Sequence, residues 1–79
     1  MLGFSDNGER ANDALHTEKI FADRKKFFLD LKENDRGRFV KITEDVGGRR
    51  DTILLPVELL DEFIEGLQRI ADADQELGD

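Results

Sequence analysis

The run Lys32-Glu33-Asn34-Asp35-Arg36-Gly37-Arg38-Phe39-Val40-Lys41 places lysine, asparagine and phenylalanine at two-residue spacing on either side of one glycine. Alternate residues of a strand share a face, so Lys32 and Asn34 point one way, as do Phe39 and Lys41. An ammonium group attracts phosphate, an amide hydrogen-bonds base edges or backbone, and a flat ring stacks on bases. This is binding chemistry. Catalysis has less to stand on: His16 is the only histidine and Ser5 the only serine, and both fall in an expected N-terminal tail. The carboxylate pairs of the last third fall on a solvated helix face, and no glycine-rich phosphate loop precedes a helix. No enzyme is expected. The chain has no cysteine, which excludes disulfides and thiolate metal sites, and no cofactor or metal is expected.

Such residues need a sheet to carry them. A chain of 79 residues makes one small domain, which buries only about 60% of its unfolded surface, so help from a partner chain is expected. Residues 1–16 are polar and without periodicity and read as a flexible tail. From Thr17 to Pro56 the period is two, with turn signals at Asp23-Arg24, Arg36-Gly37 and Gly47-Gly48. This predicts a four-stranded antiparallel meander. Pro56 suits the first turn of a helix, and Leu59, Leu60, Phe63, Ile64, Leu67, Ile70 and Ala71 then follow a 3.6-residue period. That apolar stripe is wider than one sheet contact requires, so part of it is expected to meet a second subunit. Gly66 costs up to about 1 kcal/mol inside a helix, which suggests that something packs close to it. Residues 17–72 are read as the folded unit, and residues 73–79 as an acidic tail that frays.

The formal charge of −7 is unevenly distributed. Residues 1–18 carry one basic and four acidic side chains, residues 19–50 ten and six, and residues 51–79 one and nine. An anionic ligand therefore stays available to the basic middle, provided the fold gives the middle a face of its own. No segment approaches the roughly 20 apolar residues of a membrane span, and no basic region leads an apolar run at the N-terminus. A soluble, cytoplasmic protein is expected.

Residues opposed on antiparallel strands point to the same face. With Arg36-Gly37 as a two-residue loop, Asn34 pairs with Phe39 and Lys32 with Lys41, while Glu33 pairs with Val40 and Leu31 with Ile42 on the core side. Through Gly47-Gly48, Ile42 pairs with Ile53 and Val40 with Leu55. Arg50 and Thr52 then join Phe39, Lys41, Asn34 and Lys32 on the outer face, and Phe21 and Phe28 face out in the first hairpin. Bound phosphates would relieve the opposed lysines, and stacked bases would cover the phenylalanines. The alternative is that a partner protomer covers Phe21, Phe28 and Phe39 and that the lysines are an ordinary solvated face.

The segment Lys25 to Asn34 (KKFFLDLKEN), followed by Gly37-Arg38-Phe39-Val40-Lys41-Ile42, Gly48-Arg49-Arg50 and a helix containing Glu62-Phe63, resembles the PUR repeat of the PUR-alpha family over about residues 17–72. The resemblance implies an α+β fold, a ββββα repeat completed as a Whirly-like PUR domain when two repeats intertwine with crossing helices. Members with several repeats pair them within one chain, whereas similar bacterial proteins carry one repeat and form homodimers. A homodimer is therefore expected here, through Leu60, Phe63, Ile64, Leu67, Ile70 and Ala71. The implied activity is binding of single-stranded DNA and RNA, purine-rich and especially guanine-rich, with some strand separation of duplexes. The family's base- and backbone-contacting roles fall on Lys32 and Asn34, its stacking or wedging role on Phe39, and its third-hairpin arginine on Arg50. Glu33, where the family usually has glutamine, and Asp35 in the turn are departures.

The leading expectation is thus a non-enzymatic, homodimeric, single-stranded nucleic-acid-binding protein. Lys26, Lys32, Arg38, Lys41 and Arg50 would track phosphates, Asn34 would hydrogen-bond, and Phe28 and Phe39 would stack. The rival is a protein-interaction or dimerisation module with no nucleic-acid role.

Overall fold

A computed structural model describes residues 14–78, so Ser5 and nearly all of the expected tail lie outside the described residues. The chain forms β1 (His16–Phe21), β2 (Lys25–Asn34), β3 (Gly37–Val46) and β4 (Arg49–Pro56), then one 3-10 turn (Val57–Leu59) and α1 (Leu60–Leu77). The strands make one antiparallel sheet in the order β1-β2-β3-β4. This is the ββββα order expected from the sequence.

The central hairpin differs from expectation in register but not in facing. Asn34 pairs with Gly37, so the two-residue loop is Asp35-Arg36, one position earlier than predicted. The cause is local: the Asn34 side-chain oxygen accepts the Arg36 N–H at 2.8 Å, an Asx turn that fixes where the chain reverses. Gly37 follows at φ 133°, a value side-chain-bearing residues avoid. Relative to prediction each residue of β2 meets a partner two positions away, an even slip that leaves every side chain on its face. Lys32 is therefore opposite Phe39, and Lys41 is opposite Asp30. The predicted Lys32–Lys41 opposition does not occur.

The third hairpin is as predicted, with Ile42 opposite Ile53 and Val40 opposite Leu55. Its Gly47-Gly48 loop has φ 58° and 90°, the double positive φ that suits a tight hairpin. In the first hairpin Phe21 pairs with Lys26, which places Phe21 and Phe28 outward and Ile20 inward. His16, expected in the tail, instead opens β1 opposite Leu31, its Nε2 2.6 Å from Glu18 Oε2.

Both ends of the helix also move from prediction. Pro56 closes β4, extended at φ −60° and ψ 142°, and the α-helix begins only at Leu60 after the 3-10 turn. On edge strand β4 the missing N–H of proline costs little. At the other end α1 continues past Asp72 to Leu77, where the Gly78 N–H donates to the Gln75 carbonyl at 3.1 Å. Alanine, glutamine, glutamate and leucine are good helix formers, and Gln68 Nε2 donates to Asp72 Oδ1 at 3.1 Å, which favours helix through the acidic end.

The inner face of the sheet is not covered by the chain's own helix. Ile20, Phe27, Val40, Ile42 and Ile53 share with Leu60, Phe63, Ile64 and Leu67 of α1 an open apolar concavity of about 550 Å3. Among the described residues Leu55 is the single buried apolar side chain, at 8% exposure. The dimensions, 51 × 31 × 16 Å with a radius of gyration of 15.5 Å, exceed the roughly 11 Å radius of a compact domain this small. Among the described residues nothing lies within 4 Å of a Cβ placed on Gly66, so the close neighbour expected there is not one of them.

Candidate nucleic-acid interface

Strand alternation sorts the charges between the two faces. The outer face carries Lys19, Lys26, Lys32, Lys41 and Arg50 against two carboxylates, Asp30 and Asp45. The inner face carries Lys25, Arg38 and Arg49 against four, Glu18, Glu33, Glu44 and Asp51. An acidic chain thus presents one basic surface. Among the described residues no carboxylate lies within 4 Å of the four outer lysines, so their charge is available to a ligand.

The outer face is built in rungs across the strands. At one end Asn34 and Gly37 close the hairpin, followed by a rung of Lys32, Phe39 and Pro56. Next come Thr17, Asp30, Lys41 and Leu54, then Lys19, Phe28, Thr43 and Thr52, and at the far end Phe21, Lys26, Asp45 and Arg50. Thr43, at the centre, is buried at 7% exposure, which makes the middle of the face firm. The Thr17 hydroxyl donates to Asp30 Oδ1 at 2.7 Å, so that carboxylate is engaged beside Lys41.

Around Phe39 the surface dips into a shallow depression of about 250 Å3 that Asn34, Arg36, Arg38, Leu54, Pro56 and Glu58 share. Leu54, 63% exposed, and Pro56 are the apolar neighbours of the ring, and sequence reasoning missed both. The signal was present, since the predicted β3–β4 register already opposes Phe39 to Pro56 and Lys41 to Leu54. Asn34 enters this site with its oxygen committed to the Arg36 N–H, leaving its amide N–H groups to donate.

Arg38 and Arg50 sit differently from the lysines. Arg38 alternates onto the inner face, where its Nε lies 3.6 Å from Glu33 Oε2. Arg50 is on the outer face, its Nε 3.0 Å from Asp45 Oδ2, with the guanidinium carbon 5.9 Å from the centre of the Phe28 ring. The hydrogen bond from Arg50, and after it that from the Gly48 N–H, holds the Asp45 carboxyl below its ordinary pKa. Asp45 opposite Arg50 follows from the β3–β4 register expected from the sequence.

The four-stranded antiparallel sheet followed by a helix, with a basic, aromatic-bearing outer face, is the ββββα repeat expected from the sequence, and comparison with known proteins gives its family. A family model described as PurA ssDNA and RNA-binding protein matches residues 1–78, and the chain belongs to that family. It is similar to transcription factor Pur-alpha 1 of Arabidopsis thaliana, 48% identical over 46 residues, 58% of this chain and 16% of that protein. It is 36% identical to the human transcriptional activator protein Pur-alpha over 66 residues, 75% of this chain and 20% of the relative. With the zebrafish (Danio rerio) transcriptional regulator protein Pur-beta it shares 36% identity over 87 residues, 89% of this chain and 29% of the relative. The chain thus spans less than a third of the length of each of these relatives.

Proposed function

We propose that this chain binds single-stranded DNA and RNA on the outer face of its sheet, as a homodimer, with a preference for purine-rich and above all guanine-rich sequence. The observation that carries the reading is the segregation of charge: five cations and two carboxylates on the face that also holds Phe39, Phe28 and Phe21. Lys32 and Lys41 meet phosphates beside a base stacked on Phe39, and Arg36 at the hairpin tip is close enough to the same depression to join them.

The turn offers a physical basis for the proposed guanine preference. Adenine offers an acceptor and a donor on its major-groove edge, guanine two acceptors, N7 and O6. The Arg36 N–H engages the Asn34 oxygen within the turn, and the two amide N–H donors are the groups that would meet the two acceptors of guanine. Phe39, on the outer face at the hairpin end, is also suited to wedge between the bases of a fraying duplex, which supports strand separation.

The homodimer is supported by the inner face. A concavity of about 550 Å3, lined by apolar residues of both sheet and helix, is a half-built core, and each Leu, Ile or Phe fully buried there is worth about 1.5–3 kcal/mol. A second copy bringing Leu60, Phe63, Ile64, Leu67, Ile70 and Ala71 supplies the missing half. The names of the relatives, transcription factors and regulators, support a role in transcriptional control. The test is a titration of guanine-rich single strands with mass measured in parallel. Micromolar-or-tighter binding by a particle of twice the chain mass is expected; a monomer that ignores single strands contradicts both parts, and a dimer that ignores them leaves the dimerisation module.

A further inference from the structure

The outer face ends in a second aromatic group that the Phe39 site does not use. Phe21 and Phe28 meet edge to face, ring centres 6.4 Å apart at 76°. In that geometry the rings do not cover each other's faces as a parallel stack would, and Phe21 stays 64% exposed. The Arg50 guanidinium lies over Phe28, held there by the 3.0 Å contact of its Nε with Asp45. Lys19 stands opposite Phe28 and Lys26 opposite Phe21.

Exposed rings set among cations suit a particular kind of occupant. A neutral apolar protein surface laid here would have to strip water from Lys19 and Lys26 without giving them a partner. A single-stranded nucleic acid supplies phosphates for the lysines and flat bases for Phe21 and for the guanidinium plane, which itself stacks on π faces. The spacing also fits. Phe28 is level with Thr43, four residues along β3 from Phe39 and one strand over, which puts the two aromatic positions about 14 Å apart. That is about four nucleotides at the 3.4 Å rise of a stacked strand, and about two when the strand is stretched to twice that rise.

Resting on the nucleic-acid reading above, we propose that the outer face holds one strand at two stacking positions: Phe39 at the hairpin end, and Phe21–Phe28 with Arg50 at the opposite end. Arg50 acts there as a stacking plane positioned by Asp45 rather than as a free phosphate contact, and Lys41, between the two positions, holds the intervening phosphate.

The test uses the full chain and an eight-nucleotide guanine-rich DNA strand, with Phe21→Ala, Phe39→Ala, the double variant and Arg50→Lys, and with oligomeric mass measured for each. Phe21→Ala is expected to weaken binding about fivefold or more at unchanged mass. The two losses should multiply in the double variant, and Arg50→Lys should weaken binding although the charge is kept. Wild-type affinity in Phe21→Ala beside a loss in Phe39→Ala overturns the second position while sparing the nucleic-acid reading. A changed mass in Phe21→Ala overturns it too, assigning the ring to the subunit interface. If wild type itself does not bind the strand, the underlying reading fails instead.

Discussion

Lys32 and Phe39 are directly opposed across the β2–β3 ladder. A cation and a ring on one rung can hold a phosphate and its base together, and neither belongs to the apolar inner face. Truncating the ring should therefore affect binding rather than folding. Phe39→Ala is expected to lose about 1 to 3 kcal/mol of affinity for a guanine-rich single strand, with the circular dichroism spectrum and melting temperature near wild type. Equal affinity with a broken dimer would move Phe39 to the interface.

Asn34 has a structural duty in the turn and a proposed recognition duty, and one substitution separates them. Asn34→Asp keeps an oxygen for the Arg36 N–H, so the turn should survive, but it removes the amide donors. Overall affinity falls because a charge is added. The informative quantity is the ratio of guanine-rich to adenine-rich affinity, expected to fall severalfold; a ratio equal to wild type would remove Asn34 from base recognition.

Acid should loosen the Arg50 end of the face through Asp45. Its carboxyl is held below the ordinary value of 3.8, chiefly by the hydrogen bond from Arg50. A depressed carboxyl contributes stability that is complete above its unfolded value and is lost as pH falls through the folded one. The contribution is thus constant at neutral pH and disappears below about pH 4. Asp45→Asn should flatten that part of the acid unfolding curve, and an unchanged acid limb would show that the ion pair contributes nothing measurable.

Gly66 distinguishes an open helix face from one covered by the proposed second copy. Among the described residues a Cβ at this position meets nothing within 4 Å, so Gly66→Ala should stabilise the helix by up to about 1 kcal/mol. A higher melting temperature at unchanged mass fits a helix face open at that point. Loss of the dimer in the same variant would place the partner's helix against Gly66.

Facing was more legible in the sequence than register. Alternation from Thr17 to Pro56 put Lys32, Asn34, Phe39, Lys41 and Arg50 on one side, and the Asx turn at Asn34 changed their partners without changing their side. That turn depends on one side-chain oxygen, which a reading based on glycine position does not weigh. The length of α1 was underestimated because charge was weighed above propensity in the Ala-Asp-Ala-Asp-Gln-Glu-Leu end. Arg38 alternates with Phe39 and lies beside Glu33, yet it also borders the Phe39 depression at the hairpin end, a placement that alternation alone does not give. The open inner face could be anticipated only in kind, since a small chain must find burial somewhere.

The central claim, that the outer lysines engage the phosphates of a single strand, is tested most directly by the salt dependence of binding. With Lys19, Lys26, Lys32 and Lys41 free of carboxylates among the described residues, log K should fall against log salt with a slope of roughly −3, at about −0.7 per phosphate for single strands. Replacing Lys32 and Lys41 by alanine should bring the slope to roughly half that value. A slope near zero in the wild type, or one that the double substitution leaves unchanged, would contradict the assignment of this face.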